Sequence, residues 1–138
     1  MFIARLRNME YKVKLNRGEI EVTYDYNVKT FGIYVYALVF PDNSVYIGSA
    51  SQNIGDRIQN HATHYKSGKT PKDRAILRFK KFNVRILREC DSIEEMKYYE
   101  RLYIHSVANN IVKEEFGVNH ITTDLVKPIL LNCNLLKY

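Results

Sequence analysis

A quartet of turn formers, Pro41-Asp42-Asn43-Ser44, separates two apolar runs of strand length, Phe31–Phe40 and Val45–Ala50. A turn of that chemistry between strand-like runs dictates an antiparallel hairpin. So apolar a hairpin needs further elements to cover it, because two strands alone are barely stable in water. Each run carries a short triplet, Gly32-Ile33-Tyr34 in the first and Tyr46-Ile47-Gly48 in the second, with eleven residues between the two tyrosines. The hairpin therefore sets two phenols on neighbouring strands, each close to a glycine that lets another backbone or a substrate approach. Tyrosine is a common strand residue and the chain has eleven, so the pair alone says nothing of function.

Beyond the hairpin the apolar period becomes helical. Ile54, Ile58, Ala62 and Tyr65 form a core-facing stripe, with Asn53 as N-cap. Arg57 and His61 lie one position round, four residues apart, and so stack at the edge of the core. A later helix begins at Ser92-Ile93-Glu94-Glu95, which fits a capping box, and its stripe runs Ile93, Met96, Tyr99, Tyr103, Ile104 and Val107. Glu100 is four residues from both Met96 and Ile104, so it points into that apolar face. A carboxylate so placed must be paired, hydrogen-bonded or bound to a metal, since leaving it bare is costly or raises its pKa. An ion pair with Arg57 would meet the need as well as a metal would.

Tyr34, Tyr46, Arg57, His61 and Glu100, in that order and followed by Gly117-Val118-Asn119, resemble the GIY-YIG nuclease family over roughly residues 31–121. The resemblance implies an α+β fold, a small three-stranded antiparallel sheet flanked by helices, that hydrolyses phosphodiesters with one divalent cation, Mg²⁺ or Mn²⁺. It places Glu100 on the metal and Arg57 on the phosphate. Tyr34 becomes the general base towards water, and Tyr46 orients the water or binds the scissile phosphate. His61 assists proton transfer or binds phosphate, and Asn119 is the asparagine of the set, with Asn132 and Asn134 as alternatives. The chemistry suits the residue types: a hard oxygen ligand serves Mg²⁺, which keeps waters and takes substrate oxygens. Arginine offers a planar fork of donors to phosphate. A free phenol, with a pKa of about 10, is a weak base at pH 7 unless a nearby cation favours the phenolate.

Charge is concentrated. From Arg57 to Arg88 there are ten Lys or Arg and a single acid, Asp73, whereas Glu89 to Glu115 holds seven acids and three bases. The first stretch reads as a footprint for double-stranded DNA, with Lys66, Lys69, Lys72, Arg74, Arg78, Lys80 and Lys81 on phosphates. The Ser67–Lys72 loop within it is expected to move and close on DNA. Its Gly-Lys-Thr lacks the upstream glycine of a nucleotide-binding loop.

At 138 residues the chain has room for one domain with a real core. An N-terminal extension (1–30) reads as a hairpin, Tyr11, Val13 and Leu15 against Ile20, Val22, Tyr24 and Tyr26 about the turn Asn16-Arg17-Gly18. It is either an extra edge to the sheet or a surface for DNA or a second subunit, and a homodimer or higher assembly on DNA is expected. The catalytic domain spans 31–121, and a tail (122–138) packs on it. This layout is similar to compact phage and restriction-type members; a freestanding homing endonuclease and a non-catalytic nucleic-acid-binding module are the alternatives. Cys90 and Cys133 have neither zinc-ligand nor disulfide-framework spacing. No membrane span or signal peptide is evident, so the expected compartment is cytoplasm, that of a phage-infected cell included.

Overall fold

In the computed structural model, which describes residues 10–14, 19–25, 31–107, 109–112 and 136–138, the predicted hairpin forms between Tyr34–Val39 and Val45–Ala50. The elements in chain order are β1 (Glu10–Lys14), β2 (Glu21–Asp25), β3 (Tyr34–Val39), β4 (Val45–Ala50), α1 (Ile54–Thr63), α2 (Pro71–Phe79), β5 (Lys81–Glu89) and α3 (Ile93–Ser106). The turn residues act as their chemistry predicts. Asp42 Oδ1 accepts from the Ser44 amide at 2.9 Å, and Asn43 takes a left-handed conformation, φ 67.

β3 pairs antiparallel with β4 on one side and with β5 on the other, which is the expected three-stranded unit. The sheet does not stop there. Its order is β1-β2-β5-β3-β4, five strands, and β2 runs parallel to β5, so the sheet is mixed rather than purely antiparallel. Phe82, Asn83 and Val84 of β5 are all buried, and backbone groups there need partners that water cannot supply. β2 supplies them. The N-terminal hairpin is thus an added sheet edge, with Val13 opposite Val22 in its ladder.

Alternation along the strands divides the core into two layers. Tyr34, Tyr36 and Leu38 face α1 and α2, packing with Ile54, Ile58, Ile76, Phe82 and, from the hairpin, Ile20 and Val22. Val35, Ala37, Val39 and Ile47 face α3, against Met96, Tyr103 and Ile104. β3 is buried on both sides, which explains its unbroken apolarity.

The helix starts follow their caps. Asn53 accepts from the Asp56 amide at 3.1 Å and Ser92 from the Glu95 amide at 3.1 Å. The predicted capping box closes one residue early, however: Glu95 accepts from the Asp91 amide while its other oxygen is drawn to Arg88 at 3.3 Å. Ile93 is 49% exposed, so the buried stripe of α3 begins at Met96. The expected Ser67–Lys72 loop is shorter than predicted, because Thr70 caps α2 and Pro71 and Lys72 form its first turn. Asn119, Asn132, Asn134, the Asn16-Arg17-Gly18 turn and most of the 122–138 tail lie outside the described residues. Leu136 packs on the α3 layer, and the Tyr138 amide donates to Asn43 Oδ1 at 2.9 Å. Among the described residues no helix is long and apolar enough to cross a membrane.

Ile20 is 2% exposed, so the hairpin belongs to the core rather than hanging from it. Ile20→Ala should lower the stability of the whole domain by about 2–5 kcal/mol. Urea unfolding checks this, and an unchanged midpoint would show that the hairpin is an independent appendage.

Candidate active site

Tyr36 stands opposite Gly48 across the β3–β4 ladder, and Tyr46 stands opposite Leu38. Both phenols project from the α1 side of the sheet and converge over the glycine. A Cβ at Gly48 would lie 2.6 Å from the Tyr36 oxygen and 2.9 Å from the Tyr46 ring. Nothing larger than glycine fits between the two rings.

α1 closes over this pair. His61 Nε2 lies 2.6 Å from the Tyr36 oxygen, and its ring meets Tyr46 edge-on at 5.2 Å between centroids. One turn earlier, Arg57 lies beside both phenols. α2 contributes Lys72, whose Nζ is 2.8 Å from His61 Nδ1, 3.5 Å from Asp73 Oδ1 and 5.4 Å from the Tyr46 ring centroid. Glu100 comes from α3, on the other face of the sheet. It reaches the site because β4 is the outermost strand, and Ser49 lies beside its carboxylate at that edge. The cleft where these elements meet has a volume of about 390 Å³, with Tyr46, Lys69, Lys72, Glu100, Ile104 and Ile111 among its walls.

Burial and the cations set the protonation. Burial, with Lys72 and Arg57 close by, pushes the His61 pKa down to about 3, so the ring is neutral. Burial raises Tyr36 and Tyr46 despite Arg57, and both keep their protons. It also works against charge on Arg57, but the two phenols outweigh it and hold the guanidinium above its usual range. Burial lowers Lys72, a fall opposed by Asp73. It raises Glu100 in spite of Ser49 and Arg57.

Tyr46, Arg57, His61 and Glu100, separate in the sequence, are thus brought together. Tyr34 is 2% exposed and donates to the Phe31 carbonyl at 3.4 Å, while a Cβ at Gly32 would press on its ring at 2.6 Å. Two site residues carry no mark in the sequence. Tyr36 shares a face with Tyr34 by strand alternation, and its place opposite the glycine of the second triplet was the available signal. Lys72, expected on DNA, is half-buried inside the site; the Thr70-Pro71 start of α2 could have fixed its position. The other expected DNA contacts sit further out. Lys66, Lys69, Arg74, Arg78 and Lys81 are exposed, while Lys80 pairs with Glu19 at 3.8 Å. Arg74 and Arg78 line a second groove of about 250 Å³ with Asp42 and Ser44. Pro71 and Ile111 border both grooves.

No three His, Cys, Asp or Glu side chains among the described residues gather as a metal cage. One half-buried carboxylate on an open cleft does fit a cation such as Mg²⁺, which keeps waters and takes substrate oxygens as further ligands. A family model described as the GIY-YIG catalytic domain matches residues 32–112. No curated protein and no solved structure matches the chain.

Because the histidine pKa is depressed, His61 should show no NMR titration between pH 8 and pH 5, where an ordinary histidine half-titrates near 6.5. The unfolded chain takes up that proton and the folded chain does not. His61 should therefore make folding stability fall as pH drops from about 6.5 towards 3, at up to roughly 1.4 kcal/mol per pH unit. An inflection near 6.5 in the His61 resonances would contradict the geometry.

Proposed function

We propose, because this chain belongs to the GIY-YIG family, that its cleft is the site at which it hydrolyses phosphodiester bonds of double-stranded DNA. The observation that carries this reading is that Tyr46 and Glu100, from different elements, line one cleft, with Arg57 of a third element close beside the Tyr46 phenol. A phosphodiester gathers charge on its non-bridging oxygens at the transition state, so catalysis needs positive charge there and an aligned water. Arg57 supplies a permanent charge and a donor fork, already oriented by two phenols. Tyr46 lines the cleft, unlike the deeply buried Tyr34 and Tyr36, and we assign it to the attacking water or the scissile phosphate. Tyr46 keeps its proton, so its part is to orient the water or bind the phosphate, and the general-base role that the resemblance gives to Tyr34 does not pass to it; Tyr34 and Tyr36 support the site from beneath.

Glu100 would hold the divalent cation, and Mg²⁺ or Mn²⁺ bound there would supply Lewis-acid stabilisation of phosphoryl charge. His61 is neutral and tied to Tyr36 and Lys72, which suits a part in positioning and proton transfer better than metal ligation. Lys69, Arg74 and Arg78 flank the cleft on the catalytic body itself, in keeping with a compact degradative or restriction-type enzyme that reads DNA with this domain. A homing role is the second reading. One site attacks one strand at a time, so a double-strand break in one encounter calls for a second copy. We place that contact at the N-terminal hairpin, whose β1 is the outermost strand on the side away from the site.

Supercoiled plasmid should be nicked with Mg²⁺ and left intact with chelator. Glu100→Ala should reduce nicking to the chelator background while leaving DNA binding in place. Near wild-type cutting by that variant would refute the assigned metal site.

Arg57→Ala should lower turnover by about 10²–10³-fold with little change in affinity. Lys69→Ala should instead weaken binding and reduce the slope of log affinity against log salt by about one unit. Equal affinity losses in the two variants would argue against a catalytic Arg57.

A further inference from the structure

Lys72 belongs by sequence to the run of basic residues around α2, and a lysine there is expected to meet phosphate. Its environment is different. Its side chain is 18% exposed, and its ammonium has three partners in the protein: His61 Nδ1 at 2.8 Å, Asp73 Oδ1 at 3.5 Å and the Tyr46 ring at 5.4 Å. Asp73 is itself buried, and its Oδ1 has no hydrogen bond, only this ion pair. A buried carboxylate that close favours the ammonium over the amine.

We propose that Lys72 is a positioning residue that fixes the tautomer of His61 and thereby the direction in which the Tyr36 hydroxyl donates. An ammonium has only donors, so at 2.8 Å it requires a bare lone pair on Nδ1. The single proton of the neutral ring must then sit on Nε2, where it is donated to the Tyr36 oxygen at 2.6 Å. Since Nε2–H occupies that line of approach, the Tyr36 hydrogen cannot lie along it and is directed away from His61. In the other tautomer Nδ1–H would face the Lys72 donors. Nε2 would then accept from Tyr36, turning the hydroxyl inward and leaving the oxygen short of a donor. Lys72 thus forms part of the cleft wall and also acts behind it, through the imidazole and then the phenol. Asp73 holds it there.

The tautomer part stands on geometry alone; its consequence for turnover rests on the nuclease reading above. The two are tested separately. The ring ¹⁵N resonances of His61 in the wild-type protein should show a pyridine-type Nδ1 and a pyrrole-type Nε2. In Lys72→Met they should shift to the opposite form or a mixture, and in Lys72→Arg the wild-type form should persist. On plasmid with Mg²⁺, Lys72→Met should lose about 10- to 100-fold in kcat with KM unchanged, and Lys72→Arg should recover much of that loss. A protonated Nδ1 in the wild-type spectrum overturns the proposal, and that measurement needs no variant to fold. A tautomer unchanged in Lys72→Met overturns it too. So does a rise in KM at constant kcat, which is the signature of a phosphate-tracking lysine. If the wild-type protein cuts no DNA, the nuclease reading fails, and the spectra still decide the role of Lys72.

Discussion

The missing side chain at Gly48 is the constraint around which the site is built. Register places Tyr36 directly across the ladder from it, and the Tyr46 ring leans over the same gap. Any Cβ there would drive the two phenols apart. Their separation governs the helix contacts above them, because Arg57 lies beside both phenols and His61 touches both. A single backbone position therefore sets the geometry of four side chains from three elements.

The second determinant is where the hairpin sits in the sheet. β4 is an outermost strand, so the two core layers are not sealed from each other along its edge. The phenols and α1 belong to one layer, and α3 to the other. Glu100 meets the first group only by reaching round that edge, where Ser49 lies beside it. The backbone at Asn109 and Ile111 hydrogen-bonds the near end of the strand at Val45, and the cleft opens beyond it. The opposite margin of the sheet, extended by the N-terminal hairpin, lies away from the cleft.

Electrostatics in the cleft are uneven. Arg57 and Lys72 bring two positive charges beside a neutral imidazole, with the carboxylates of Glu100 and Asp73 against them. The two cations keep the histidine from taking up a proton. The ridge of Arg74 and Arg78 continues the positive field along α2.

Much of this arrangement was legible in the residues. The Pro41–Ser44 turn, the apolar runs of β3 and β4, and the caps at Asn53 and Ser92 each act through local geometry, which a sequence encodes directly. The helical spacing of Arg57 and His61 and the inward aim of Glu100 come from the same local periods. What local periods cannot specify is register between strands and the placement of one layer over another. Thus the residues mark Tyr34 and not Tyr36, because the choice between two tyrosines on one face depends on which lies across from Gly48. Lys72 reads as one of the surface lysines because its charge is visible in the sequence, while its burial depends on how α2 docks beside His61. The five-strand mixed sheet, too, was decided by a pairing between β2 and β5, distant in the chain. Local chemistry determined the elements and most of the reactive residues; the tertiary packing decided which of them touch, since only long-range contacts set distance and desolvation.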